Sequence, residues 1–420
     1  MDNIKISVIL PVYNPGAGIS KCIASLRNQT LRDIELIFVD DLGDDGSIDR
    51  VREAAAEDSR IRVITNPRNM GPGFSRNAGI EASRGEYLSF IDPDDYVADD
   101  FYELLYEKAA VGKNDIVKGR ICYTLEDGTV IPRRNMNESI RNGLEKGRPL
   151  YAVFCYEHHS AIYKRELVMS SGARYGLARR AQDTTFLLKI CHAAVSMETE
   201  DFAMYYFCER AGSTMHSSNV DALDYLLFSF REQVDYICGH LGGDPWAESY
   251  TTNILLTNLR FYMRYKDVPE NGPALRAFAE GTAAQLLRLP FYGNLSSRCL
   301  PARVLVDKGA VLPASPGHLP WESADLDQWL GLFKLWMDFL SANPSYCHVS
   351  RAPGWIYRLW VNTENAGAKE GRQAAAREKL KELAGTLDMR TRLILRFRLA
   401  LGRASVFTPG WLHRLRGLIR

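Results

Sequence analysis

The chain has 420 residues, 46% of them hydrophobic, and 52 basic against 51 acidic side chains leave a formal charge of +1. That content supports a large buried core in two domains, or in one domain with a substantial appendage, and the near-neutral balance excludes a general electrostatic attraction to nucleic acid. Eight scattered cysteines without a Cys-X-X-Cys pair exclude the common zinc patterns and a disulfide framework, and no apolar run is long enough to span a bilayer.

The N-terminus runs directly into a charged, strand-like segment, as expected of a cytoplasmic chain made without a signal peptide. The first hundred residues then alternate strands with helices. The β-branched run Ile4 to Leu10 predicts a strand, Pro11-Val-Tyr13-Asn14-Pro15-Gly16 a turn, and Ile19 to Asn28 a helix. The unit repeats with a strand over Ile34 to Val39, ending in Asp40-Asp41, and a helix from Ser47 to Ala56. Arg62 to Thr65 and Gly73 to Ser83 predict a third pair, and Tyr87-Leu-Ser-Phe-Ile reads as a buried strand that runs into Asp92-Pro-Asp94-Asp95. Strands separated by helices imply right-handed crossovers and an α/β, Rossmann-like, mostly parallel sheet flanked by helices. Ligands of such sheets bind beyond the strand C-termini, so Pro11 to Asn14, Asp40-Asp41 and Asp92 to Asp95 are expected to converge on one edge.

Three carboxylates within four positions repel one another at the mouth of a sheet unless a cation or donor groups compensate them. Mg²⁺ or Mn²⁺ holding a phosphate suits such hard oxygen ligands. An Asp-rich turn capping the next helix is the other reading of the same residues. The dinucleotide fingerprint is not met, because Gly71-Pro-Gly73-Phe-Ser-Arg76 puts Arg where the third glycine belongs and follows the third strand, and no Walker A sequence is present. A nucleotide diphosphate would therefore be held by metal and by basic side chains such as Arg76.

Five motifs in order resemble the family 2 inverting glycosyltransferases of GT-A fold. They are Ser7-Val-Ile-Leu-Pro11-Val-Tyr13-Asn14; Val39-Asp-Asp41; Asn69-Met-Gly71 with Ser75-Arg76-Asn77-Ala-Gly79; Gly85-Glu-Tyr-Leu; and Phe90-Ile-Asp92-Pro-Asp94-Asp95. The resemblance implies a nucleotide-sugar donor, most often a UDP-sugar, bound with Mn²⁺ or Mg²⁺. It places Pro11, Tyr13 and Asn14 on the nucleoside side, Asp41 at the base, Arg76 and Asp92 at the donor, and Asp94 with Asp92 as metal ligands. Asp40 and Asp95 have weaker claims.

An inverting transfer also needs a base for the acceptor hydroxyl. Between Asp115 and Ile131 the pattern turns to short strands, with Glu126-Asp127-Gly128-Thr129 as a hairpin turn. His158-His159-Ser-Ala-Ile-Tyr163-Lys164-Arg165 then resembles the family's acceptor-side segment, and Ala181-Gln182-Asp183-Thr184-Thr185-Phe186 resembles its Glu-Asp-X-X-Phe motif with Gln182 in place of the usual Glu. By this resemblance Asp183 is the catalytic base; by its residues alone it also reads as the N-cap of a helix from Thr184 to Cys191. Neighbours on a strand point to opposite faces, so at most one of His158 and His159 is expected in the cleft, and neither joins the catalytic set. Arg210, in a segment resembling the family's closing strand and loop, is assigned to the donor diphosphate, with a plain surface arginine as the alternative.

From about Ala222 the pattern changes to helices over Leu223 to Leu241, Tyr250 to Tyr265 and Pro273 to Leu287. Trp329, Trp336, Trp355 and Trp360 are of a type that stacks on sugars, although aromatics at helical spacing more often form core. From Arg390 to Arg420 there are no acidic residues, and eight arginines interleave with Phe397, Phe407, Trp411 and aliphatic residues. This reads as a surface-binding amphipathic segment, or as a helix whose Arg face is solvated or paired elsewhere. The expected organisation is a GT-A domain over 1–220, divided at 98/99 into donor and acceptor sides, a mainly α-helical region over 221–389 and a basic tail over 390–420. The expected activity is transfer of a sugar from a nucleotide-sugar to a hydroxyl of a glycan or lipid-linked acceptor in cell-surface polysaccharide synthesis, in the cytoplasm or peripherally at the membrane, with no nucleic-acid partner. A nucleotide-sugar-binding protein without turnover and a nucleotidyltransferase are the other classes this sequence admits.

Overall fold

The computed structural model describes residues 4–133, 135–154, 157–208, 220–265, 271–298, 302, 306 and 373–384. Arg210, the four tryptophans named above and the basic tail lie outside the described residues. The chain divides into two compact units, 1–251 and 252–420.

The first unit opens with strand β1 (Ile6–Val12), helix α1 (Gly18–Arg27), β2 (Ile34–Asp40), α2 (Ser47–Glu57), β3 (Ile61–Thr65), α3 (Pro72–Ala82) and β4 (Tyr87–Phe90). Every residue of β1, β2 and β4 is buried, as befits strands covered on both faces, and this is why they read as unbroken apolar runs. The short β5 (Tyr96–Val97), α4 (Phe101–Gly112), β6 (Ile116–Thr124), β7 (Val130–Pro132), α5 (Met136–Glu145) and α6 (Leu150–Val153) follow. After a 3₁₀ turn at His158–Ser160 come β8 (Ala161–Lys164), α7 (Arg165–Ser170), α8 (Gln182–Ala193), β9 (Met197–Cys208) and α9 (Ala222–His240).

The strand order among the described residues is β3-β2-β1-β4-β8-β6-β9-β5, with β7 on β6. The β3-β2-β1-β4 half is parallel, as the repeated strand and helix units require. Beyond β4 the sheet is mixed: β8 runs antiparallel to β4 and to β6, while β9 is parallel to β6. The reason is connectivity, because the regular crossovers end at β4. The hairpin expected at Glu126 to Thr129 joins β6 to β7.

Helix α3 lies hard against β1 because Gly79 has no side chain; a Cβ there would come within 2.3 Å of Ile9 Cγ2. Val8, Leu10, Leu36 and Phe38 pack with Ile19 and Leu26 of α1, Val51 of α2 and Leu105 of α4 to form the core on the other side.

Beneath the parallel half, Glu35 is a buried polar knot. Its carboxylate accepts from Ser7 Oγ at 2.6 Å, Arg62 Nη1 at 2.7 Å, Arg84 N at 2.7 Å and Arg84 Nη2 at 2.9 Å, tying β1, β2, β3 and the loop before β4 together. Burial raises its pKa, but the bonds from Ser7, Arg62 and Arg84 outweigh it and hold the carboxyl below its ordinary value. Because the folded value is depressed, this stabilisation is present above the unfolded pKa and is lost as the pH falls through the folded one. Glu35→Gln is expected to destabilise the protein by about 2 kcal/mol at neutral pH, less than a fully buried pair because both arginines reach solvent. Urea unfolding checks it: the gap to wild type should close in acid, and an equal gap at pH 7 and pH 3 would contradict the assignment.

In the second unit, Gly272–Arg288 forms α11 and Tyr292–Arg298 α12; α10 (Ala247–Tyr265) precedes them and crosses the division between the units. Helix α11 buries Leu275, Phe278, Ala279 and Leu286 at helical spacing. A further described helix covers Gln373–Ala384.

Candidate functional site

Pro11 sits in β1 opposite Val39, past the point where β4 stops opposite Ile9, so its missing N–H removes no ladder bond on that side. Tyr13 follows at the sheet edge and is 50% exposed, a large aromatic held at a rim where a flat ligand can stack. Asn14 adopts a left-handed φ of 50°. Its amide exchanges two bonds with Asp44, donating from Nδ2 at 2.9 Å and accepting from Asp44 N at 2.8 Å. Gly43 leaves the room for this, since a Cβ there would meet Asn14 Oδ1 at 2.4 Å. Asn14 thereby pins the loop after β1 to the loop after β2.

Asp40 ends β2, Asp41 follows it, and both are buried. Asp40 accepts from Leu42 N at 2.9 Å and from Arg52 Nη2 at 3.2 Å, which leaves it a structural part. Asp41 accepts from Asn66 Nδ2 at 2.7 Å and from the backbone N–H groups of Met70 and Gly71, each at 2.8 Å. It therefore organises the β3–α3 loop at the edge where the nucleobase is expected.

The acidic corner follows β4. Arg76 is buried in the second turn of α3 and bonds Asp92 Oδ1 through Nη2 at 2.5 Å, while its Nε and Nη1 make no hydrogen bond. Its guanidinium lies 5.2 Å from the Tyr175 ring centre. Burial disfavours the Asp92 carboxylate, but Arg76, with His158 and His159 behind it, brings its pKa down to about 2. Asp95 differs. It accepts from Tyr205 Oη at 2.6 Å and Cys208 N at 2.8 Å, so β9 holds it within the fold. Burial, then the charges of Asp92 and Asp94, nevertheless push its carboxyl well up. Asp94 is half-buried beside Gly18, where a Cβ would come within 3.0 Å of the Asp94 Cα.

Among the described residues, no three His, Cys, Asp or Glu side chains are grouped as a metal site. A cation shared with a diphosphate needs just one or two carboxylates, the phosphates supplying the rest. Asp92 and Asp94 supply two carboxylates within three positions, and one oxygen of Asp92 is already engaged by Arg76.

The second carboxylate arrives from far along the chain. Asp183 lies in the first turn of α8, whose N-cap is Ala181, so it is one residue inside the helix and not its cap. Burial raises its pKa, but His158 first and Arg76 next hold the carboxyl below its usual value. His158 Nδ1 is 3.4 Å from Asp183 Oδ2, longer than a well-formed hydrogen bond, and neither ring nitrogen is otherwise bonded.

The two histidines are not on a strand. They occupy the 3₁₀ turn, where successive side chains stand about 120° apart, so both turn inward. The His159 ring centre is 4.6 Å from that of Tyr205, and burial, then His158, brings its pKa down to about 4. Glu157, just before the turn, has a left-handed φ of 70° and is held by Arg133 and by buried Lys118 at 3.4 Å. Sequence reasoning set His158 aside because it assumed strand alternation; the tandem pair itself was the available signal. Tyr175 and Tyr205 carried no signal, since their contacts to Arg76, Asp92 and Asp95 are all made across the fold.

Residues 7–172 match the model of glycosyl transferase family 2. The chain is 32% identical over 231 residues to EpsJ, an uncharacterized glycosyltransferase of Bacillus subtilis, a match that covers 52% of this chain and 65% of that protein. It is 26% identical over 235 residues to YibD, an uncharacterized glycosyltransferase of Escherichia coli, covering 53% of this chain and 67% of the relative. Among solved structures, S. aureus TarS 1–349 in complex with UDP-GlcNAc superposes with a TM-score of 0.53 at 19% identity, over 72% of this chain and 88% of TarS. That likeness establishes the mixed, GT-A-like sheet followed by a helical region. The likeness to glycosyl transferase family 2 thus lies in residues 7–172, and the chain spans less than two thirds of the length of the first curated relatives it matches.

Proposed function

We propose that the protein is an inverting, metal-dependent glycosyltransferase that moves a sugar from a UDP-sugar to a hydroxyl of a glycan or lipid-linked acceptor in cell-surface polysaccharide synthesis. The observation that carries this reading is the shared charge cluster: Arg76 bonds Asp92 at 2.5 Å and also acts on Asp183, whose Oδ2 is 3.4 Å from His158 Nδ1. A donor-side carboxylate that follows β4 and a second carboxylate from α8 thus share an arginine, which supports a transfer with separate leaving-group and acceptor chemistry.

In this reading Tyr13 and Pro11 flank the nucleoside, Asn14 holds their loop, and Asp41 with the loop it orders receives the base. Asp94 and Asp92 would hold Mn²⁺ or Mg²⁺, which when bound neutralises charge developing on the departing diphosphate. Asp183 takes the proton from the acceptor hydroxyl, and His158 and Arg76 keep it ionised and ready to accept. Arg210 is assigned to the diphosphate from the sequence. TarS was captured with UDP-GlcNAc, so UDP-sugars are the donors to test first. UDP released from a panel of UDP-sugars with Mn²⁺ is the direct test; no release above background with any of them would remove the assignment.

No described helix is long and apolar enough to cross a membrane. The Arg390 to Arg420 segment is proposed to bind an anionic membrane surface peripherally, its arginines through salt-sensitive attraction and Phe397, Phe407 and Trp411 through burial. A chain truncated before Arg390 is expected to lose sedimentation with phosphatidylglycerol vesicles and still bind nucleotide. Equal sedimentation of truncated and full-length protein would show that the tail does not dock on lipid.

A further inference from the structure

A turn that costs energy precedes Asp183. Ala181 has a φ of 55°, a left-handed conformation that disfavours a side chain by about 1–2 kcal/mol. Such a residue persists when its surroundings over-determine it. Its carbonyl accepts two hydroxyls, Ser229 Oγ at 2.7 Å and Thr184 Oγ1 at 2.8 Å, so both lone pairs are engaged. Gln233 Nε2 donates to Thr184 Oγ1 at 3.1 Å and to Ser229 Oγ at 3.2 Å, and Tyr250 Oη donates to Gln233 Oε1 at 2.7 Å. The donors run in one direction, from Tyr250 to the Ala181 carbonyl.

Ser229, Gln233 and Tyr250 are all at most 2% exposed. They occupy helix positions where apolar residues would pack without any polar partner, and a buried polar chain is costly unless it is complete, as this one is. Helix α9 grips the turn at a second point. Glu232 Oε2 accepts from Thr185 Oγ1 at 3.3 Å and lies beside Gly176, whose N–H bonds the Gln182 carbonyl at 3.0 Å. Both α8 and α9 fall beyond residue 172, where the family match ends.

We infer that helix α9 aims the catalytic base: Ser229 and Gln233, backed by Tyr250 and working with Thr184, are positioning residues that fix Ala181 in its left-handed turn and so set the direction of Asp183. This rests on the reading of Asp183 as base. None of the four touches the reacting atoms. A loosened turn leaves the donor edge intact, so it slows chemistry without weakening donor binding, and displacements of about 1 Å in such groups cost on the order of 10²-fold.

The test uses the full chain carrying Ser229→Ala with Gln233→Leu, and Ser229→Thr as the conservative control. Amide exchange at Thr185 to Leu188 is expected to quicken about 10-fold or more in the double variant, with β1 and β4 still protected, and to stay near wild type in Ser229→Thr. In UDP release from UDP-GlcNAc with Mn²⁺, kcat is expected to fall about 10-fold with KM within about two-fold. Adding Ala181→Gly, which takes this φ without strain, is expected to return part of the kcat. Unchanged exchange at Thr185 to Leu188 overturns the inference, and so does exchange that quickens throughout the sheet. Exchange is read without turnover, so it is separable from the base assignment: a local response together with full activity in Asp183→Asn would leave the turn held by α9 and remove Asp183 as base.

Discussion

Asp183→Asn is expected to lower sugar transfer by about 10²-fold or more while donor affinity stays within a few-fold of wild type, the scale at which a positioned general base contributes. Asparagine keeps the size and the first-turn position in α8 but cannot accept the acceptor proton. The helix should form, because its N-cap is Ala181 and its turn is held by Ser229 and Thr184, not by the Asp183 carboxylate. Donor affinity should survive because the donor edge is organised by Asn14, Asp41 and the carboxylates after β4, none of which lies on α8. The comparison that settles it is transfer at saturating donor alongside calorimetric UDP binding. Transfer within a few-fold of wild type would move the base elsewhere, and His158, 3.4 Å away, would be the next group to replace.

Asp94→Ala is expected to weaken UDP binding in Mn²⁺ by about 10²-fold or more, since a cation bridging carboxylate and diphosphate is worth several kcal/mol. In the absence of divalent metal the two proteins should bind UDP alike. Asp95→Ala provides the contrast. Its carboxylate is fixed by Tyr205 and Cys208, so its loss leaves a buried hydroxyl and a half-buried N–H without their acceptor and should lower the melting temperature, which Asp94→Ala should not do to the same extent. Equal UDP affinity of wild type and Asp94→Ala with Mn²⁺ present would remove Asp94 as a ligand.

The donor half was legible in the sequence because its signals are local. Unbroken apolar runs become strands buried on both faces, and each ends where its polar cluster begins, so Pro11 to Asn14, Asp40-Asp41 and Asp92 to Asp95 could be placed on one edge before any coordinates. Helix limits in this half moved by at most one residue, and α2 starts at Ser47 as expected, after Gly46 in a left-handed conformation and with Asp45 bonding Ser47. The sequence also marked Asp183 through a motif, though not its place inside the helix.

What the sequence by itself determined is therefore the α/β order, the edge where a donor would lie and the identity of the acidic residues there, all of which follow from period, turn chemistry and short-range spacing. The tertiary structure decided how each residue is used. It made Asp40 and Asp95 parts of the framework, made Arg76, expected as a basic group for the diphosphate, a buried partner of Asp92, and brought both histidines inward on a 3₁₀ turn. It also placed the Ser229 and Gln233 face of α9 against the turn before Asp183. These are pairings between residues far apart in the chain, and no local period encodes them; they appear when the sheet closes and buried polar groups must find partners.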